Sequence, residues 1–275
     1  MTQRYVAVGS ICWDEVPVAG SIDRRLGGSV LFAARVALAA GWDVHVLTSG
    51  TEELEGAARA ALPGVVLDVQ RSPADTVMAF DEAAELGPQR VPTVAAPIDV
   101  ARAADALRGA DVVHLAPIMG EVTPAVVDEV RAVRPGILSI TPQGLLRAVE
   151  GADHRLVRLG ELASWWASEV DVAVLSDEEH AVLDGAAHLP AHVALAVTRG
   201  PQGCIGYRGD EVVDVAGIAV GEVAPEGTIG AGDTFAAALL VAMADGGTFS
   251  AALHRANEVA AAHVAGRPLP IGQDR

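Results

Sequence analysis

Aromatic side chains are scarce in this chain of 275 residues, at 4% of the whole, and cysteine is scarcer still, with two. Two thiols so far apart, Cys12 and Cys204, exclude a disulfide-stapled scaffold. Both fall in apolar stretches that read as strands, and they are read as reduced core thiols. Basic residues are few, 19 against 36 acidic ones, which leaves a formal net charge of −17. A surface this acidic repels phosphate backbones and anionic lipid, which excludes nucleic acid and membrane as partners. No apolar run approaches the ~18 residues of a membrane span. The N-terminal MTQRYVAVGS lacks the long apolar segment of a signal peptide, so a cytoplasmic location is expected. There is no solenoid repeat and no low-complexity linker. No histidines stand at a ligand spacing such as H-E-x-x-H, and His254 and His263 are too far apart on one helix to share an ion.

What is abundant is small and apolar. Hydrophobic residues make up 51% of the chain, mostly Ala, Val and Leu, the stock of a tightly packed α/β protein. Short apolar runs near 5–9, 44–48, 65–69, 112–115, 137–140, 171–175 and 193–197 alternate with helical stretches near 29–40, 52–61 and 124–133 and one starting near 177. Such alternation predicts an α/β fold: a doubly wound, mostly parallel sheet with helices on both faces. Two stretches break the pattern, 15–26 and about 75–95, the second around Leu86-Gly87-Pro88. The second reads as two extended pieces expected to pair as a small flap beside the main sheet, on a single domain spanning 1–275.

The most informative stretch is EGTIGAGDTFAAALL at 226–240. Gly230-Ala231-Gly232 reads as a turn into a helix, whose first N–H groups and partial positive charge hold anions, phosphate above all. Asp233 on the rim of such a pocket is either an N-cap or a base that takes a proton from an attacking hydroxyl. Asp14 stands at the end of an early strand, where open α/β sheets bind ligands. A carboxylate there grips two adjacent hydroxyls through charge-assisted bonds, unless it is a solvated loop residue.

The string GTIGAGDTF resembles the C-terminal signature of the ribokinase-like (PfkB) sugar kinases, D-T-x-G-A-G-D-[ST]-F. The resemblance implies a ribokinase-like fold with a small β lid over the sugar from about 12–26 and 75–95, Asp233 as catalytic base and the amides of Gly230, Ala231 and Gly232 as anion hole. It departs at Gly227, where the family carries an Asp of a metal or alkali-cation environment. Glu226 is the neighbouring carboxylate, and weak or absent potassium activation is expected. VGSICWD followed by Gly27-Gly28-Ser29 resembles the family's sugar-binding pair and implies Asp14, Gly27 and Gly28 as substrate contacts. Phe32 replaces a family asparagine, which points away from ribose. Glu121 falls where the family often has a substrate-contacting Glu; the alternative is a neighbour of a helix cap. TPQGLLR resembles a D-x-Q-G-x-x-R segment of the inositol-kinase-like branch, with Thr141 for Asp and with Gln143 and Arg147 in place. Arg147 is then either a phosphate partner or a surface residue on a helix.

LSDEEH resembles N-x-x-E, which implies Mg2+ held near Glu179, with Ser176 for Asn; the same residues make a capping box. VTRGPQG resembles a nucleotide loop and implies that Thr198, Gly200 and Gly203 approach ATP together with Thr228, Gly230 and Gly232. Asn257 would border the adenine pocket. The resemblance as a whole implies an ATP- and Mg2+-dependent kinase of a small sugar or polyol, inositol-like or a simple sugar, acting as a monomer or homodimer. Two rivals are carried beside it. One is a catalytically impaired nucleotide- or sugar-binding protein of the same fold, which the departures at Gly227, Ser176 and Thr141 favour. The other is a nicotinamide-dependent oxidoreductase, which the missing G-x-G-x-x-G disfavours.

Overall fold

The computed structural model describes residues 2–81, 90–183, 189–221, 223 and 225–272. The chain opens with β1 (Arg4–Val8), then β2 (Cys12–Val18), β3 (Ser21–Gly27), helix α1 (Ser29–Ala39), β4 (Asp43–Gly50), α2 (Glu52–Ala61), β5 (Val66–Arg71), β6 (Thr76–Ala79) and β7 (Arg90–Thr93). It continues through α3 (Ala104–Leu107), β8 (Val112–Leu115), α4 (Pro124–Ala132), β9 (Ile137–Ile140), β10 (Arg147–Glu150) and β11 (Arg155–Arg158). Last come β12 (Val172–Ser176), α5 (Asp177–Ala181), β13 (Ala194–Thr198), β14 (Gly203–Arg208), β15 (Glu211–Ala216), α6 (Ala231–Ala244) and α7 (Phe249–Val264).

Among the described residues, nine strands form one sheet in the order β15-β14-β13-β12-β9-β8-β1-β4-β5. Pairings from β5 to β13 are parallel, and β14 and β15 close one edge antiparallel. Both faces are covered, so the parallel strands read as continuous apolar runs rather than alternating ones. In β1, Tyr5 and Ala7 enter the core shared with α1, α6 and α7. Val6 and Val8 enter the core on the other face with Val126, Val130 and Trp166. Strand order reverses at β1, between β4 and β8, and a crevice for ligands is expected at the carboxyl ends of the strands there. Cys12 and Cys204 are free and buried in β2 and β14. No described helix is long and apolar enough to cross a membrane.

The second sheet has six strands in the order β10-β11-β7-β6-β2-β3. The stretches 12–26 and 75–95 do supply β2, β3, β6 and β7, while residues 82–89, with the Leu86-Gly87-Pro88 turn, lie outside the described residues. A third stretch, 147–158, adds β10 and β11, so the sheet is larger than the two irregular segments suggest. Its own core is small: Cys12, Met78, Val91 and Ile118. Buried Asp75 ties it to the main body. Its carboxylate accepts from Trp13 Nε1 (3.0 Å), from Thr51 N (2.7 Å) and from Thr51 Oγ1 (3.0 Å).

Candidate functional site

A turn of 3-10 helix over Pro225–Thr228 leads through Ile229 to Gly230, which takes φ +79° and caps α6. Only glycine fits there. A Cβ would meet the Phe32 ring at 2.5 Å, in a backbone conformation that L side chains rarely adopt. The turn is held from two helices, because His263 Nε2–H donates to Ile229 O (2.8 Å) and the His263 ring meets Phe32 edge-on at 5.5 Å. No side chain caps α6. Asp233 is therefore not its N-cap but the third residue of its first turn, beside N–H groups that have no intrahelical acceptor. Desolvation raises the Asp233 pKa above the usual carboxylate value; Glu179 pushes the same way, and Ser29, Arg147 and His263 oppose it. A carboxylate whose pKa is raised in this way is a stronger proton acceptor than a solvated one.

Facing it across a cavity of about 390 Å3 is Asp14 on β2; Phe32, Met78, Gln143 and Arg147 also line this space. Asp14 is 4% exposed and accepts from Cys12 Sγ at 3.4 Å. Burial lifts its pKa to about 6, against the lowering pull of Cys12, Arg25 and Arg147. The glycines after β3 make room for it. A Cβ on Gly27 would lie 2.0 Å from Asp14 Oδ2, and one on Gly28 would lie 2.2 Å from Ser10 O. Gly28 lines the cavity beside Asp14.

On the other side of the Gly230–Gly232 turn lies a cavity of about 670 Å3 whose walls include Ile218, Val220, Phe235 and Val264. Thr198, Gly200, Gly203, Thr228 and Asn257 line it too. Asn257 donates from Nδ2 to Ala216 O (2.9 Å), fixing the end of β15. A third, smaller space of about 190 Å3 lies between Glu179 and Asp233. All three cavities share Thr198, Thr228 and Gly232. The residues named from the nucleotide-loop and glycine-turn motifs thus converge on one place, although they are separated in sequence.

Glu179 lines two of these cavities, and the capping box is also formed. Ser176 Oγ accepts from Glu179 N (3.2 Å), and Glu179 Oε2 accepts from Ser176 N (2.8 Å). Among the described residues no group of three His, Cys, Asp or Glu side chains could hold a metal ion. Glu121 is placed differently. It is buried, Oε1 accepts from Ser10 N (2.8 Å) and Ile118 N (3.0 Å), and Oε2 accepts from Met119 N (2.7 Å). Its carboxylate ties the end of β1 to the loop after β8, and it is not among the residues lining the Asp14–Asp233 cavity. The Glu226 side chain lies outside the described residues.

Motif reading did not anticipate what joins these groups. Arg147 starts a lid strand rather than sitting on a helix surface, and it faces inward with Gln143 to line the cavity. Ser29, at the start of α1, is buried beside them. The signal in sequence was only the G-G-S and Q-G-x-x-R strings.

The family model "pfkB family carbohydrate kinase" matches residues 98–267, more than half of the chain. No curated protein matches significantly. Among solved structures, the chain is similar to a pyrophosphate-dependent kinase in the ribokinase family, complexed with a pyrophosphate analog and myo-inositol. That match has 21% identity, covers 97% of each chain and has a TM-score of 0.79. It is also similar to ribokinase of Arabidopsis thaliana complexed with ribose and ATP (18% identity, 95% and 92% covered, TM-score 0.66). A third is a ribokinase from Thermotoga maritima (16% identity, 98% and 97% covered, TM-score 0.71).

Proposed function

Because the chain belongs to the pfkB family of carbohydrate kinases, phosphotransferases that act on sugar hydroxyls, we propose that it transfers the terminal phosphoryl group of ATP to a hydroxyl of a small sugar or polyol. The carrying observation is the position of Asp233, on the wall between the Asp14 cavity and the Gly230–Gly232 turn. Asp14 grips adjacent hydroxyls of the acceptor and aims a third group at the turn. Asp233 takes the proton of the attacking hydroxyl as its oxygen bonds to phosphorus and the bond to the ADP oxygen breaks. The amides of Ala231 and Gly232 receive the charge on the transferred group, in a fixed orientation that needs no reorganisation. Phe32 lines the acceptor space where the family carries an asparagine, and the loss of that hydroxyl-binding amide points away from ribose towards another polyol. Thr198, Gly200, Gly203 and Thr228 border the phosphates. Glu179 would hold Mg2+ through its remaining oxygen, with the ion neutralising phosphate charge when bound. The protein acts in the cytoplasm, as a single domain.

Pyrophosphate is the donor named for one similar structure. The apolar space of about 670 Å3 next to Gly232 supports a nucleotide instead, since a base and ribose fill it and pyrophosphate leaves it empty. Asn257 borders that space. The decisive assay offers ATP or pyrophosphate with a panel of inositols and simple sugars. Turnover is expected with ATP and a polyol, and turnover with pyrophosphate alone sinks the donor assignment. Asp233→Asn is expected to lower kcat by about 10²–10⁴ while ATP binding, read by calorimetry, persists. A near wild-type rate removes Asp233 as base. The substitutions at Gly227, Ser176 and Thr141 favour a second reading, a binding protein of the same fold, which would give thermal shifts with ligand and no turnover.

A further inference from the structure

Gln143 sits in the 3-10 turn Pro142–Leu146, 90 residues from Asp233 in sequence. Its Nε2 donates to Asp233 Oδ1 (3.3 Å) and to Ser29 Oγ (2.6 Å). Its Oε1 accepts from Arg147 Nη2 (3.1 Å), and Arg147 Nη1 donates to Ile118 O (3.2 Å). The amide therefore has one satisfactory orientation. A guanidinium can only donate, so it demands the amide oxygen, and an ionised carboxylate can only accept, so it demands the amide nitrogen. A flipped amide would set oxygen against carboxylate and N–H against guanidinium. We infer that Gln143, locked by Arg147, is the positioning residue of the Asp233 base: its donation to Oδ1 fixes the rotation of the carboxylate that takes the proton of the acceptor hydroxyl.

This inference rests on the proposed kinase reading. It assigns the half-buried Arg147 a task other than phosphate binding, as the anchor of an amide. Other charged groups also bear on Asp233: Arg147 from β10, Glu179 from α5 and His263 from α7. Asp14 from β2 and Tyr5 from β1 interact with it as well. Ser29, which accepts from Gln143 Nε2, also hydrogen-bonds the Asp233 carboxylate, so the amide acts on the base both directly and through Ser29. Loss of the Gln143 amide removes a donor that favours the ionised carboxylate, and a glutamate in its place adds a like charge.

The test is Gln143→Glu and Gln143→Ala in the full chain, compared with Arg147→Met. Asp233 titration is read by carbon NMR of the Asp carboxyl groups, and turnover is read with the best acceptor of the panel. Gln143→Glu is expected to raise the Asp233 pKa by at least one unit and to move the acid limb of kcat upward with it. Gln143→Ala is expected to lower kcat at least tenfold with the acceptor KM within threefold, and Arg147→Met to reproduce part of that loss. A melting temperature matching wild type separates these effects from unfolding. An Asp233 titration unchanged in Gln143→Glu overturns the inference, with or without turnover. A fully active Asp233→Asn overturns the kinase mechanism itself, and the two failures are thereby distinguishable.

Discussion

The two sheets of this molecule differ in what they ask of their sequence. The nine-stranded sheet is covered on both faces, so β1, β8, β9, β12 and β13 are short and mostly apolar, with His114 and Ser139 the polar residues in the middle of β8 and β9. The six-stranded sheet is assembled from three distant stretches. Its strands carry charges, SIDRRLG in β3 and RLVR in β11, and Val18, Ile22 and Val149 stay exposed on it. The first sheet supplies the rigid frame that aims α6 and its glycine turn. The second supplies the wall opposite, with Asp14 and, through β10, Arg147. The candidate site lies where a well-cored body faces a thinly cored partner.

That contrast can be broken from the body side first. Gly230→Ala forces a side chain into a left-handed conformation and against Phe32. The strain is on the order of 1–3 kcal/mol, in the turn proposed to hold the phosphate. A fall in kcat of roughly tenfold to a hundredfold is expected, with acceptor binding little changed; a kcat equal to wild type would show that the turn is not the anion hole.

On the lid side, Asp14→Asn is expected to raise the acceptor KM by roughly tenfold or more, the scale of charge-assisted hydrogen bonds of about 1.5–3 kcal/mol, and to leave the ATP KM alone. Stability should move the other way. The folded-state pKa of Asp14 is about 6 against 3.8 unperturbed, so the folded protein binds this proton more tightly than the unfolded chain. Ionised Asp14 therefore opposes folding above pH 6, and that effect fades as pH falls through 6 and is gone below about 3.8. Thermal melts of Asp14→Asn against wild type should show a higher melting temperature at pH 7.5 and a gap that closes towards pH 4. In wild type, kcat/KM should drop below about pH 6 as Asp14 takes up its proton. A gap independent of pH would sink this account of Asp14.

The smallest effect is expected where the two sheets touch through solvent. Arg158 of β11 pairs with Glu178 of α5, and both side chains are more than half exposed. Arg158→Ala should change stability by under about 1 kcal/mol and kcat by less than threefold, as measured by chemical denaturation and steady-state rates. A large loss would mean that the lid is latched at this point rather than by buried Asp75.

The parts legible in the sequence are those governed by neighbours along the chain. Residues 231–244 announce a helix after glycines, and the strand alternation announces the doubly wound sheet. Ser176 and Glu179 form the capping box that S-x-x-E implies. What stayed hidden depends on partners far away. TPQGLLR gives no hint that Gln143 reaches the first turn of α6, because 90 residues separate the two ends of that bond. RAVE and RLVR are too short and too charged to declare themselves as lid strands, which they become only by pairing with each other and with β7. Glu121 reads in sequence as a substrate contact or a neighbour of a helix cap, and only the folded loop shows backbone N–H groups donating to both its oxygens.

By itself, then, the sequence determined the local chemistry: a small-residue turn entering an apolar helix, a carboxylate in its first turn, and strands apolar enough to be buried on both faces. Tertiary structure alone decided that Asp14 and Asp233 face one another, that Arg147 turns inward and that Glu121 is consumed by the backbone. The physical reason is range. Backbone propensity and helix-terminal hydrogen bonds act over a few residues, whereas desolvation and the pairing of distant polar groups exist only once the chain has closed around them.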